Sequence, residues 1–179
     1  MTRFKTEKCR GFFEHWASLR DEGQHVPSNS VFLDKAHPDY APHLHIAEMH
    51  DGYMVFRLIG TKVVERWGRD KTGEVVGDGQ PPDMQRVLYD NGVLSISTPC
   101  GFRMEMMFAA SNGSEISIEA LVLPLATEVG KPGRLVSLSE VVERLKYGDQ
   151  SERYLNIANV DWVEIGAGVP EQDPWSSQA

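Results

Sequence analysis

FRLIGTKVVERWGRDKTG, residues 56–73, combines the end of a strand, a short helix and a glycine stop. The segment YMVFRLIG, residues 53–60, is rich in aromatic and β-branched residues, which favours a strand. Thr61 can cap the helix KVVERWG, and Gly68 is typical of a helix end. The stretch therefore predicts a strand followed at once by one short helix.

The segment before it, HPDYAPHLHIAEMH at residues 37–50, holds four of the six histidines of the chain. From residue 43 to 46, histidine and apolar residues alternate with the two-residue period of a strand. Asp51-Gly52 is a hairpin signal between this segment and the strand at 53–60. We expect two paired antiparallel strands here.

The histidines of this strand raise the question of a metal site. His43 and His45 would share one strand face, with Glu48 close behind, and imidazole and carboxylate groups are ligands of transition metals. All six histidines lie in the first 50 residues, so no later strand can supply a third imidazole. We expect no metal site and interpret His43 and His45 as the wet face of an edge strand, in contact with solvent or the arm.

Upstream, residues 9–23 predict an amphipathic helix that ends at Gly23, with its apolar residues at helical spacing: Phe12, Phe13, Trp16 and Leu19. This apolar face is too large to leave in water, so we expect it to pack on the sheet or on a second copy of the chain. The residues from 24 to 42 contain three prolines and predict an irregular arm.

Downstream, PDMQRVLYDNG at residues 82–92 predicts a helix that stops at Asn91-Gly92. Asn112-Gly113 is a second hairpin signal. Three strand-like segments follow the helix: residues 93–111, 115–127 and 135–142. Paired strands with helices grouped between them indicate an α+β fold.

The last forty residues leave the topology open, because either LVSLSEVV at 135–142 or the segment 160–166 could be the last strand of the sheet. Residues 149–179 contain six acidic residues and Arg153 alone as a basic one. We divide the chain into a helix and prolyl arm at 1–42, a core at 43–140, and an acidic C-terminal extension at 141–179.

Composition excludes several classes of protein. The chain has 179 residues and a net charge of −8, which argues against a nucleic-acid surface. It has no apolar run long enough to span a membrane and no secretory signal, so we expect a cytoplasmic location. Cys9 and Cys100 are far apart in sequence and are expected to be free thiols.

Several motifs of this chain resemble a family. FFEHWASLR at 12–20 has the form Tyr/Phe-x-x-Trp-x-x-Leu-Arg, RLIGT stands at 57–61, GRDKTG at 68–73, and LPL at 123–125. Together these motifs resemble a stand-alone PAS sensory subfamily of alphaproteobacteria, over roughly residues 10–140. The resemblance implies a five-stranded antiparallel sheet with short helices on one face, in addition to the N-terminal amphipathic helix, and an internal pocket.

In function, the resemblance implies a sensor or regulatory module rather than an enzyme. Such a module would bind a small apolar or amphipathic ligand. Because we find no output domain in the sequence, we expect it to signal by contact with a protein partner. We expect a homodimer. Apolar stripes at strand spacing are ordinary core in most proteins, but here the resemblance implies that they converge on the pocket: Phe56, Leu58, Trp67, Leu88, Met104, Met106, Ile118 and Ala120.

The cofactor is unknown. The mid-domain helix lacks the cysteine of flavin photosensors, and no histidine follows residue 50 to hold haem, so neither cofactor is expected. Two alternatives stay open. One is a small α+β-barrel enzyme of cyclase or isomerase type, whose candidate residues are Tyr89, Arg103, Glu105 and Glu119. The other is a dimerisation scaffold without a ligand.

Overall fold

The structure is a computed structural model that describes residues 4–110, 115–128, 131–144 and 152–174. Its helices are α1 (Glu7–Ser18), α2 (Asn29–Asp34), α3 (Thr61–Trp67) and α4 (Pro82–Ser97), with a 3₁₀ turn at Ala41–His43. Its strands are β1 (Leu44–His50), β2 (Tyr53–Ile59), β3 (Gly101–Ala110), β4 (Glu115–Glu128), β5 (Lys131–Arg144) and β6 (Glu152–Val163). The α+β class predicted from the sequence is confirmed.

The strands form one antiparallel sheet in the order β2-β1-β5-β4-β3-β6. The predicted count of five strands is wrong, because β6 adds a sixth strand beside β3. LVSLSEVV lies in β5, and residues 160–163 end β6, so both segments in question are strands. The predicted domain bounds at residues 42 and 140 stay predictions.

Strand β6 could not be assigned from the sequence pattern because its pairing with β3 is irregular. Its buried residues Ile157 and Val160 belong to the same core on one face of the sheet although they are three positions apart, which is not the spacing of a regular strand. The register with β3 shifts between Glu105 and Met106, where an extra residue of β6 is accommodated. Such a bulge breaks the two-residue period by which a strand is recognised in a sequence.

Each face of the sheet carries its own apolar core. On one face, α1 and α2 cover leucine and valine residues of β4 and β5. Phe12 and Trp16 of α1 are fully buried there, and the Trp16 indole donates a hydrogen bond to the carbonyl of Pro124 at 3.0 Å. The N-terminal helix therefore packs on the sheet of its own chain. On the other face lie α3 and α4.

Predicted helix boundaries were wrong in both α1 and α3. The first helix ends at Ser18, with Leu19 as its C-cap, and not at Gly23. In α3, Gly60 is the N-cap and Thr61 is the first helical residue. The predicted stop of α3 at Gly68 is confirmed, because Gly68 takes the left-handed conformation with φ 76°.

The helix α4 does not stop at Asn91-Gly92 but continues to Ser97, so residues 93–97 are helical rather than part of a strand. Gly92 faces the sheet, where a Cβ would lie 3.2 Å from Leu135 and from Met54. The Asn91 amide donates to the carbonyl of Pro174 at 2.9 Å. The pair therefore permits close packing of α4 instead of ending it.

The first predicted hairpin is confirmed. Asp51 and Gly52 connect β1 to β2 with φ values of 49° and 80°. Two successive positive φ values are the requirement of the tight hairpin turn that Asp-Gly favours. The second signal, Asn112-Gly113, lies outside the described residues, although β3 and β4 on its two sides are paired.

Candidate ligand pocket

A pocket of about 910 Å³ lies between the sheet and the layer formed by α3, α4 and residues 75–81. Its volume falls in the range of about 300–1,000 Å³ that is typical of small-molecule sites. Most of the strand residues that line it are apolar: Ala47, Met54, Phe56, Phe102, Met104, Met106, Phe108, Ile118, Ala120, Val122 and Leu135.

The structure brings seven of the eight predicted ligand-binding residues together around this pocket: Phe56, Trp67, Leu88, Met104, Met106, Ile118 and Ala120. That they bind a ligand stays a prediction. Leu58 does not line the pocket and is 39% exposed. Ile46 pairs with Leu58 but Ala47 pairs with Phe56, so Arg57 is an extra residue in β2. This bulge turns Leu58 away from the face that Phe56 occupies.

Strand β5 supplies lining residues that the sequence analysis did not assign. Leu135, Ser137 and Ser139 alternate along this strand and face the pocket. Val136 and Leu138 between them are fully buried on the α1 face. The alternation in LVSLSEVV indicated that Leu135, Ser137 and Ser139 share one face of the strand. The polarity of the two serines, however, gave no reason to place them inside an apolar pocket.

The polar groups of the pocket floor are grouped where β1 and β5 meet. His45 of β1 pairs in register with Ser137 of β5. Arg66 of α3 also lines the pocket, and its guanidinium donates a hydrogen bond to the Ser139 hydroxyl at 2.6 Å. Ser137 and Ser139 are 5% and 6% exposed, so the guanidinium reaches the floor of the pocket. We call Arg66, His45, Ser137 and Ser139 the polar corner.

The interpretation of His45 as a surface residue is wrong, because β1 lies between β2 and β5 and is not an edge strand. The imidazole packs against Phe56 and Trp67, with ring centroids 5.3 and 5.5 Å away. Its Nδ1 is buried without a hydrogen-bond partner in the described part of the chain. Burial, and then the nearby Arg66, lower the pKa of His45 to about 3, so this ring is neutral at neutral pH.

His43, the other histidine of the candidate metal pair, ends the 3₁₀ turn before β1 and is partly buried. Burial, followed by the charge of Lys8, lowers its pKa. Within residues 4–110, 115–128, 131–144 and 152–174, no group of three or more His, Cys, Asp or Glu side chains is arranged to hold a metal ion. The expected lack of a metal stays a prediction.

The remaining ionisable groups of the lining lie in α3, in the layer above the floor and in β6. Glu65 accepts a hydrogen bond from Lys62 at 2.7 Å, and the Lys71 ammonium lies 5.4 Å from the centre of the Trp67 ring. The Tyr154 hydroxyl donates to Asp83 at 3.2 Å. Burial, and then the Asp83 carboxylate, raise the pKa of Tyr154 to about 12, so this phenol is neutral.

The four residues considered for an enzyme do not converge on the pocket. Arg103 and Glu119 lie on the opposite face of the sheet, 5% and 0% exposed, where their side chains are 3.3 Å apart. Glu105 bonds to Lys5 on the same face. Tyr89 of α4 is 40% exposed and donates to the carbonyl of Gly52. Alternation predicted that Arg103 and Glu105 face away from Met104, and this is confirmed. The face on which Arg103 and Glu105 lie is covered by α1 and the residues before it.

Both cysteines are buried free thiols, as the sequence predicted. Cys9 lies in α1 against the sheet, and Cys100 lies between α4 and β3. Burial raises the pKa of each thiol to about 12. Neither sulfur lines the pocket.

No protein-family model and no curated protein matches this chain. In the part of the chain that the structure describes, no helix has the length and apolar character needed to cross a bilayer.

Proposed function

We propose that this chain is a PAS-type sensor module that binds a small apolar or amphipathic molecule in the pocket and signals through protein contact. The observation that carries the proposal is the pocket of about 910 Å³ that lies between a mostly apolar sheet face and α3 and α4. An ordinary core has few voids larger than a water molecule, so this much space is unusual for a core without a binding role.

Two further features support the proposal. Strands β1 to β5 occupy five adjacent, antiparallel positions of the sheet, in the order β2-β1-β5-β4-β3. In the chain, α3 and α4 come between β2 and β3, and both pack against one face of the sheet. This is the arrangement that the PAS resemblance implies. The wall at Met104 and Met106 consists of flexible thioether side chains, which adapt to guests of different shape.

The experiment is a thermal-shift screen of small apolar and amphipathic compounds with the purified chain. A ligand of the folded state raises stability by about 2.7 kcal/mol at about a hundredfold excess over its Kd. Ala120→Phe fills the pocket from its floor and should abolish the shift. Leu58→Phe adds the same ring to the sheet outside the pocket, so this control should respond like the parent.

A screen without hits, or an Ala120→Phe variant that responds like the parent, would favour the dimerisation scaffold instead. Haem and flavin are not part of the proposal, because α4 contains neither cysteine nor histidine, and the visible absorption spectrum of the purified protein tests this. The homodimer and the protein partner expected from the sequence stay predictions. Light scattering with and without a ligand from the screen measures whether the chain is a homodimer.

A further inference from the structure

The hydroxyl of Ser137 is a polar group on the floor of a mostly apolar pocket. Ser139, two positions along β5, accepts a hydrogen bond from Arg66, whereas the Ser137 hydroxyl makes no hydrogen bond within the part of the chain that the structure describes. Ser137 is 5% exposed, and the neighbouring floor on β3 and β4 is apolar. Polar groups in such surroundings are nearly always hydrogen-bonded. A molecule bound in the pocket can satisfy this one.

His45 is the neighbour of Ser137 across the pair of β1 and β5, and it also lines the pocket. Side chains in such register have their Cβ atoms about 4.5–5.5 Å apart. The Nδ1 atom of the imidazole is buried. Its Nε2 atom is not buried in this way and makes no hydrogen bond among the described residues. Nε2 is therefore the ring nitrogen that a ligand in the pocket can reach.

The surroundings of the two nitrogens determine which one carries the proton. The low pKa of His45 keeps the ring neutral at neutral pH, so the ring has one N–H group and one bare nitrogen. The rings of Phe56 and Trp67 pack against the imidazole, and the described residues offer Nδ1 no partner. Buried N–H groups without an acceptor are rarer in proteins than buried acceptors without a donor. The proton therefore belongs on Nε2, which becomes a donor towards the pocket.

From this geometry we infer that the pocket takes neutral ketones, whose carbonyl oxygen accepts hydrogen bonds from Nε2–H of His45 and from the Ser137 hydroxyl. A carbonyl oxygen has two lone pairs and can accept both bonds. The two donors are uncharged, which suits a neutral oxygen, because an ionised group loses much more hydration energy on burial. The apolar body of the ketone lies over the methionines of β3. This ligand class rests on the proposed function of the same pocket and deepens it by naming the polar group of the ligand.

The experiment compares benzophenone with 1,1-diphenylethene, which has the same two rings and a CH₂ group in place of the carbonyl oxygen. Equilibrium dialysis against the full chain, below the solubility of both compounds, measures the two affinities. Ser137→Ala should weaken the binding of benzophenone about fivefold, because it removes one hydrogen bond, and should leave the binding of the alkene unchanged. His45→Phe keeps an aromatic ring without a donor and should have the same effect.

Ser117→Ala is the matched control for these variants. The Ser117 hydroxyl bonds to Glu105 on the opposite face of the sheet and does not line the pocket. This variant should bind both compounds like the parent.

The infrared spectrum of bound, isotope-labelled benzophenone senses the two hydrogen bonds directly. Hydrogen bonds weaken the C=O bond, so the carbonyl stretch should lie at a lower frequency in the parent than in hexane. In Ser137→Ala and in His45→Phe it should return part of the way. The measurement on the parent needs no variant and therefore decides even if His45→Phe does not fold.

The outcomes separate the ketone inference from the proposed function. A benzophenone affinity that is unchanged in both variants, or a carbonyl stretch at its hexane frequency, would overturn the ketone inference and leave the ligand-binding function standing. Equal losses for the ketone and the alkene would also overturn it, because they would show a change in packing alone. Binding of neither compound would count against it as well, and together with a wider screen without hits would remove the proposed function too.

Discussion

The carboxylate of Glu119, fully buried in the middle of β4, is bonded to Thr6, the N-cap residue of α1. Its Oε2 accepts hydrogen bonds from the Thr6 backbone N–H at 2.8 Å and from the Thr6 hydroxyl at 2.7 Å. Its Oε1 accepts from the Lys5 backbone N–H at 2.8 Å and from Arg103 at 3.3 Å. One side chain thus joins the start of the N-terminal helix to the sheet.

Glu119→Ala should lower the free energy of unfolding by about 3 kcal/mol, because it leaves the buried Arg103 without one of its carboxylates and two backbone N–H groups without their acceptor. Urea denaturation measures the change. Glu140→Ala is the matched control, since Glu140 binds Lys8 of the same helix from the neighbouring strand but is 29% exposed. This control should cost less than about 1 kcal/mol. Equal losses in the two variants would show that the buried carboxylate has no special role.

The position of Glu119 also shows where sequence reasoning reaches its limit. Alternation along β3 assigned Arg103 to the face opposite Met104 correctly. It did not show whether that face meets water or protein, because this depends on α1, which is more than 80 residues away in sequence. A local pattern determines the face of a strand, but only the tertiary structure determines what covers it.

The features predicted correctly depend on local chemistry. The Asp51-Gly52 hairpin and the end of α3 at Gly68 both follow from backbone angles that glycine takes without strain. Most of the pocket wall followed from regular alternation in β3 and β4. The errors at Leu58 and in β6 share one cause, since in each case a bulge changes the face of every residue beyond it.

Close packing of the backbone explains why position 60, within the RLIGT motif, is a glycine. Its N–H donates to the carbonyl of Leu44 at 2.7 Å, and a Cβ at this position would collide with the carbonyl oxygens of Ala41 and Pro42. Backbone atoms cannot move aside as a side chain can, so Gly60→Ala should lower the free energy of unfolding by about 2 kcal/mol. Thr61→Ala, at the exposed neighbouring position, should change it by less than about 0.5 kcal/mol. A Gly60→Ala chain as stable as the parent would contradict the close approach of the 3₁₀ turn.

The thiols of Cys9 and Cys100 should be inert in the folded protein. Burial raises the pKa of each to about 12, so almost none of the reactive thiolate is present near neutral pH, and the sulfurs are shielded as well. We expect a coloured disulfide reagent to modify neither cysteine in buffer and both in concentrated urea. Rapid modification of either one in buffer would show that the helix covering it opens readily.

The imidazole of His45, whose Nδ1 is buried, should make the protein less stable in acid. Its pKa is about 3 in the folded chain, against 6.5 for an ordinary histidine, so below pH 6.5 the unfolded chain takes up a proton that the folded chain does not. Stability is therefore complete above pH 6.5 and is lost as the pH falls from 6.5 towards 3. At about pH 5 the loss from this one group should be about 2 kcal/mol.

Replacement of His45 by phenylalanine isolates this effect from the other groups that titrate in the same range. The new ring can keep the contacts with Phe56 and Trp67 but takes up no proton, so the acid loss of stability should be smaller by about 2 kcal/mol at about pH 5. Urea unfolding of parent and variant at a series of pH values measures the difference. His50→Gln removes an exposed imidazole from the same strand and serves as the control. If His45→Phe loses as much stability in acid as the parent, then His45 takes up its proton in the folded chain, and the polar corner carries a second positive charge beside Arg66.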